Sequence, residues 1–166
     1  MNIARYISEK AIKLEMTTVV EPLEEGMSVE RWRQRGKEQI LVELVGLLEN
    51  GGRTGNQTKL ILDFVNREKK ASTGLTHGIA FPHIRSMQAK EFMLGFARSA
   101  KGYDFGALDG LPTNLFFVMA APPYDDALYL RVFKALSEIL RYETVRDELM
   151  QITSPGEVIR ILHSFE

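Results

Sequence analysis

The apolar positions of this chain switch between two periods, and the switches divide it into elements. Ile12 and Leu14 alternate with Lys13 and Glu15, which predicts a first strand over 11–16, after a short turn or helix at 2–7. Residues 21–27 are turn-rich, and from there to 50 Ile40, Leu41, Leu44, Val45 and Leu48 fall at helical spacing, with Gly51-Gly52 closing the helix. Gly36 opposes that helix by roughly 1 kcal/mol relative to alanine, so the entry through Trp32 is expected to be irregular or a separate turn. A second helix is predicted over 56–69, capped by Asn56, with Leu60, Ile61, Phe64 and Val65 on one face.

Gly78-Ile79-Ala80-Phe81 reads as a short apolar strand that Pro82 stops, leaving His83 at its end. Residues 91–98 and 114–120 have strand length and are predicted to pair within one sheet across a Gly-, Asp- and Pro-rich connection at 101–112. The later run, NLFFVMAA, is apolar at nearly every position and calls for burial on both faces under helices. Asp125 or Asp126 is predicted to cap a helix reaching about 141, with Leu128, Val132, Ala135, Leu136 and Ile139 inward. A shorter helix follows at 143–150. Ser154-Pro155-Gly156-Glu157 is a capping box with proline first, opening a last helix through Leu162. The expected fold is α/β: a single domain over 1–166 with a central mixed sheet and helices on both faces.

Composition narrows the function. With 166 residues, 45% apolar and 26% charged, the chain suits one well-packed domain. A net charge of −1 supplies no basic field for nucleic acid, and no apolar run suggests a membrane span or signal peptide. A cytoplasmic protein with no direct membrane insertion is expected. Cysteine is absent, which excludes disulfides and thiolate metal sites.

Candidate chemistry gathers in 71–85, ASTGLTHGIAFPHIR, which holds two of the three histidines. Imidazole, with a reference pKa of about 6.5, is largely neutral and nucleophilic near pH 7, which suits His83 to accepting a phosphoryl group. Gly74 and Gly78 would let the backbone turn N–H groups toward phosphoryl oxygens, and Pro82 restrains the chain before His83. On residue types alone, a turn carrying an exposed histidine remains an equal reading. A metal site from His77 and His83 with Asp104 or Asp109 is disfavoured: the histidine separation is no recognised zinc spacing and a fourth ligand is lacking. Neither nucleotide-binding glycine motif is present, so no metal and no cofactor are expected.

The segment resembles the signature of the type-2 IIA domains of the bacterial phosphoenolpyruvate-dependent phosphotransferase system, the fructose/mannitol family that includes the nitrogen-regulatory IIA proteins. There an S-T-G loop precedes a G-I-A-apolar-P-H run, matched in order by Ser72, Thr73, Gly74, Gly78, Ile79, Ala80, Phe81, Pro82 and His83. The likeness extends to Asn66-Arg67-Glu68-Lys69, the Leu108-Asp109-Gly110 turn and the strand ending at Ala121-Pro122. It implies a phosphoryl carrier, rather than a multiple-substrate turnover enzyme, phosphorylated on His83 as the tele-phosphohistidine. Arg67 would contact the phosphoryl oxygens, and Ser72, Thr73, Gly74, His77 and Gly78 would form the phosphate-binding loop. The implied donor is HPr or its nitrogen-branch counterpart. The acceptor is a separate IIB cysteine or a regulatory target, since this chain has no cysteine. Because the chain ends without a IIB or membrane segment, the stand-alone regulatory branch is expected.

Two positions depart from the family. Tyr129 stands where these domains carry a second histidine; a phenol with pKa near 10 donates a hydrogen bond but shuttles no proton near neutrality. His77 stands where the family often has a small polar residue. Plainer readings remain beside the functional ones: Arg67 as a solvated or carbonyl-bound helix-end arginine, Tyr129 as a packing residue, His77 as a solvated loop histidine. Asp109 reads as a loop cap and His163 as an ordinary helix-end histidine. The rival to the carrier is a phosphotransfer-deficient binding module that keeps the fold and uses His83 for recognition.

Overall fold

Alternation along one strand sorts the core into two layers. The computed structural model describes residues 1–125 and 127–165, and its five strands run β1 (Ile7–Lys13), β2 (Ile79–Ala80), β3 (His83–Arg85), β4 (Met93–Tyr103) and β5 (Thr113–Ala121). β5 lies inside the sheet, with antiparallel β4 on one side and parallel β2 and β3 on the other, while β1 closes the far edge parallel to β4. Leu115, Phe117 and Met119 of β5 face one hydrophobic cluster, and Phe116, Val118 and Ala120 face the other. The fold is the expected mixed α/β arrangement.

Helices cover both faces. α1 (Val29–Gly51) and α2 (Gln57–Lys70) bury Ile40, Leu44, Leu60 and Phe64 on the even-numbered face. α3 (Leu128–Leu140), α4 (Glu143–Gln151) and α5 (Pro155–His163) bury Val132, Leu136, Leu149 and Val158 on the other. Among the described residues no helix is long and apolar enough to cross a membrane. The caps follow the sequence: Asn56 accepts from the Lys59 N–H at 3.0 Å, and the Glu157 carboxylate accepts from the Ser154 N–H at 3.0 Å. Asp125 accepts the Leu128 N–H at 2.9 Å; Asp126, the alternative cap, lies outside the described residues.

Four boundaries differ from expectation. β1 begins at Ile7 rather than 11 and ends at Lys13, because Ile7 pairs with Leu94 and is buried, which the polar run Ser8-Glu9-Lys10 conceals. α1 starts at Val29 and runs unbroken through Gly36, with Ser28 capping the Arg31 N–H. A Cβ at Gly36 would sit 3.1 Å from Val20 Cγ1, so glycine here is the room required by a crossing chain. β4 continues to Tyr103, past the predicted end at 98. Finally, Pro82 does not end the edge: Ala80 pairs with Phe116 and His83 with Met119, so β2 and β3 share one register across an interruption that Pro82 bridges. The Pro82 carbonyl still accepts the Met119 N–H at 2.9 Å, and only the donor that proline lacks is missing.

Candidate active site

That unbroken register places His83. Ile79 and Phe81 point into the α3–α5 layer, and with a period of two His83 points the same way. There it meets α3: the Tyr129 ring lies nearly parallel to the imidazole at 5.9 Å between centroids, and Phe133 meets it edge-on at 5.7 Å. Arg85, two residues along the same edge, lies over the other ring of this group, 5.6 Å from the Tyr129 centroid.

The half-buried imidazole is held by its Nδ1, 2.7 Å from the Phe81 carbonyl oxygen. A carbonyl only accepts, so Nδ1 carries the hydrogen and the lone pair of the neutral ring is on Nε2. Burial pushes the His83 pKa below its ordinary value; the Phe81 hydrogen bond opposes this and the Arg67 guanidinium reinforces it. Both the tautomer and the protonation state therefore favour a nucleophilic Nε2 near neutral pH.

Arg67 sits in the last turn of α2 and donates through Nη1 to the Ala71 carbonyl at 2.9 Å, the helix-end contact foreseen among its plainer readings. Its charge nonetheless acts on His83.

Behind the Ser72-Thr73-Gly74 loop is a buried ionic assembly. Glu68 accepts from both the N–H and the hydroxyl of Thr73, and Lys37 of α1 closes on the same carboxylate at 2.7 Å. The Lys37 ammonium also reaches Ser72 Oγ at 3.3 Å and lies 4.8 Å from the Phe105 ring centroid. Ser72 donates to the Phe105 carbonyl at 3.0 Å and accepts the Gly74 N–H at 3.1 Å. The two hydroxyls of this loop and the Thr73 and Gly74 N–H groups are thus engaged with the protein, and they fix its shape. Gly74 is pressed against the 105–107 segment, where a Cβ would fall 2.9 Å from Ala107 Cα.

The remaining candidates are placed as follows. His77 has φ +61°, a left-handed backbone that small polar residues adopt more readily, and donates its N–H to Asp109 Oδ2 at 3.0 Å. Its neighbour Gly78 is also left-handed, at +75°. His77 lines a cavity of about 220 Å³ with Thr76, Phe81, Ser137 and Arg141 that does not include His83. Asp109 also accepts the Leu111 N–H, so it caps its turn at both ends. Asp104 is paired with both Arg33 Nε and Nη2. His163 ends α5 on the surface. Sequence reasoning missed Lys37, Arg85 and Phe133. Lys37 alone left a trace: it falls in step with Leu41, Leu44 and Leu48 on the buried stripe of α1.

A mixed five-stranded sheet with helices on both faces is an architecture also found among solved structures. The nitrogen regulatory protein IIA-Ntr from Neisseria meningitidis superposes with a TM-score of 0.79 at 26% identity, covering 96% of this chain and 98% of that one. The chain belongs to the type-2 EIIA family of the phosphoenolpyruvate-dependent sugar phosphotransferase system, whose sequence model matches residues 28–165. It is 32% identical over 126 residues to the fructose-specific EIIA component of Haloferax volcanii, covering 76% of this chain and 82% of that protein. It is 31% identical over 130 residues to the fructose-specific EIIABC component of Bacillus subtilis, covering 78% of this chain but only 20% of that longer protein.

Proposed function

We propose that this chain is a phosphoryl carrier whose acceptor atom is His83 Nε2. The observation that carries the reading is the 2.7 Å contact between His83 Nδ1 and the Phe81 carbonyl, which directs the free lone pair to Nε2. The donor is a phosphohistidine on an HPr-type protein, of the sugar or the nitrogen branch. The Nε2 lone pair forms the new N–P bond as the donor's N–P bond breaks, and that electron pair returns to the donor imidazole. The proton stays on Nδ1, where the Phe81 carbonyl stabilises the positive ring that results. Arg67, which already acts on His83 electrostatically, offsets the phosphoryl charge. The 166 residues contain no cysteine, so the acceptor is a cysteine of a separate IIB unit or a regulatory target that reads the phosphorylation state. We take 1–166 as one such unit, because β1, upstream of the matched segment, pairs with β4 in the same sheet.

The Tyr129 ring stacked on His83 favours a second reading, in which the site recognises partners without carrying phosphate. Intact mass after incubation with phosphoenolpyruvate, the general phosphotransferase enzyme and HPr-type donors separates the two. The carrier reading expects an acid-labile gain of about 80 Da, absent from His83→Ala. No gain with competent donors sinks it in favour of the binding module.

A further inference from the structure

On the opposite side of the β3 edge from His83 lies a second concave site, a cleft of about 540 Å³ between α2 and β3. Lys59, Asp63, Arg67 and Lys70 project from one face of α2 at helical spacing, and Ile84 and Ser86 form the facing wall. Three cations of α2, Lys59, Arg67 and Lys70, thus line the cleft beside one carboxylate, in a chain whose net charge is −1. The carboxylate is engaged: Asp63 accepts the Ser86 hydroxyl at 2.5 Å. Lys59 and Lys70 reach no carboxylate among the described residues, and Arg67 spends only Nη1, on the Ala71 carbonyl. At the rim Leu62 and Met87 are 55% and 71% exposed.

We propose that this cleft binds a small phosphorylated organic anion, and that it shares Arg67 with His83, so that occupancy of the cleft and phosphorylation of His83 disfavour each other. The convergent cations select a multiply charged oxyanion, with the Arg67 fork for phosphoryl geometry. Leu62 and Met87 provide apolar contact for the organic part. The volume lies within the roughly 300–1,000 Å³ of small-molecule sites, which favours a metabolite over the flatter contact of a protein surface. The coupling rests on the carrier reading: a guanidinium drawn to a cleft anion neutralises the His83 phosphoryl group less, and by linkage the effect is reciprocal.

The test is an amide NMR titration with phenyl phosphate at constant ionic strength, on the parent, Lys59→Glu and His83→Ala. The expected result is saturable shifts across residues 59–70 and 84–88. Binding should be about tenfold weaker in Lys59→Glu, from charge reversal beside the anion, and unchanged in His83→Ala. In the donor assay phenyl phosphate should slow His83 phosphorylation several-fold in the parent and not in Lys59→Glu. Absence of saturable shifts, equal affinity in Lys59→Glu, or binding of a hexaglutamate peptide in place of phenyl phosphate overturns the site. Binding that persists while no donor phosphorylates His83 supports the site and overturns the carrier reading with its coupling.

Discussion

Lys37→Met tests whether the histidine loop is held by a buried charge pair from a distant helix. The ammonium and the Glu68 carboxylate are 2.7 Å apart, with only 6% and 2% of their side-chain surfaces exposed. At an effective dielectric near 20 that separation gives roughly 6 kcal/mol of attraction, against a desolvation penalty of several kcal/mol per ion. The intact pair therefore contributes little net stability. Removing only Lys37 leaves a buried carboxylate with two Thr73 hydrogen bonds and no counter-charge, a loss of about 3–5 kcal/mol against the roughly 5–15 kcal/mol of a typical domain's stability. Lys37→Met/Glu68→Gln removes both charges and keeps an acceptor for Thr73, so it should lose only about 1–2 kcal/mol, less than the single variant. Urea denaturation followed by circular dichroism, with the m-value checked for constancy, measures all three proteins. A single-variant loss under about 1 kcal/mol, or a double variant as unstable as the sum of its parts, refutes the reasoning.

Three further outcomes follow from the same geometry. Burial pushes the Glu43 carboxyl up, but the Lys13 ammonium and the Thr17 and Thr18 donors outweigh it and hold the pKa at about 2. Since the folded value lies below the unfolded one, its stabilisation, about 1–2 kcal/mol once solvent screening of the Lys13 pair is allowed for, is full above about pH 4.5 and lost as pH falls toward 2; Glu43→Gln should flatten that acid limb in urea titrations. For His83, also depressed, stability is present above the unfolded value of about 6.5 and declines as pH falls through the folded one; ring NMR should find Nδ1–H, with Arg67→Met raising the pKa. Tyr129→His places a second imidazole against His83 and should speed donor phosphorylation by about tenfold, read from single-turnover mass spectra; an unchanged rate would remove Tyr129 from the transfer step.

Much of the fold was legible because its signals are local. Asn56 and the 154–157 box announce helix starts through side chains that satisfy N–H groups within three residues. NLFFVMAA announced a doubly covered strand, and β5 is buried at all but one position. Edge elements were read less well. Pro82 removes one donor and so looked like a terminus; whether the strand resumes at His83 is decided by the next strand, where Met119 offers its N–H to the Pro82 carbonyl. Gly36 looked like a helix breaker because the crossing chain that needs its room arrives from Val20.

By itself the sequence determined the helical stripes, most caps, and the contiguous chemistry of 72–83, since each depends on residues a few positions apart. It also determined that His83 shares a face with Ile79 and Phe81, once the strand is known to continue, because side chains alternate with a period of two. The tertiary structure decided what meets that face and what supports it: Tyr129 and Phe133 from α3, and Lys37 from α1 beneath a loop 35 residues away. Such pairings are set by how the helices cross the two faces of the sheet, and no period or spacing along one segment encodes the depth at which a residue from another will arrive.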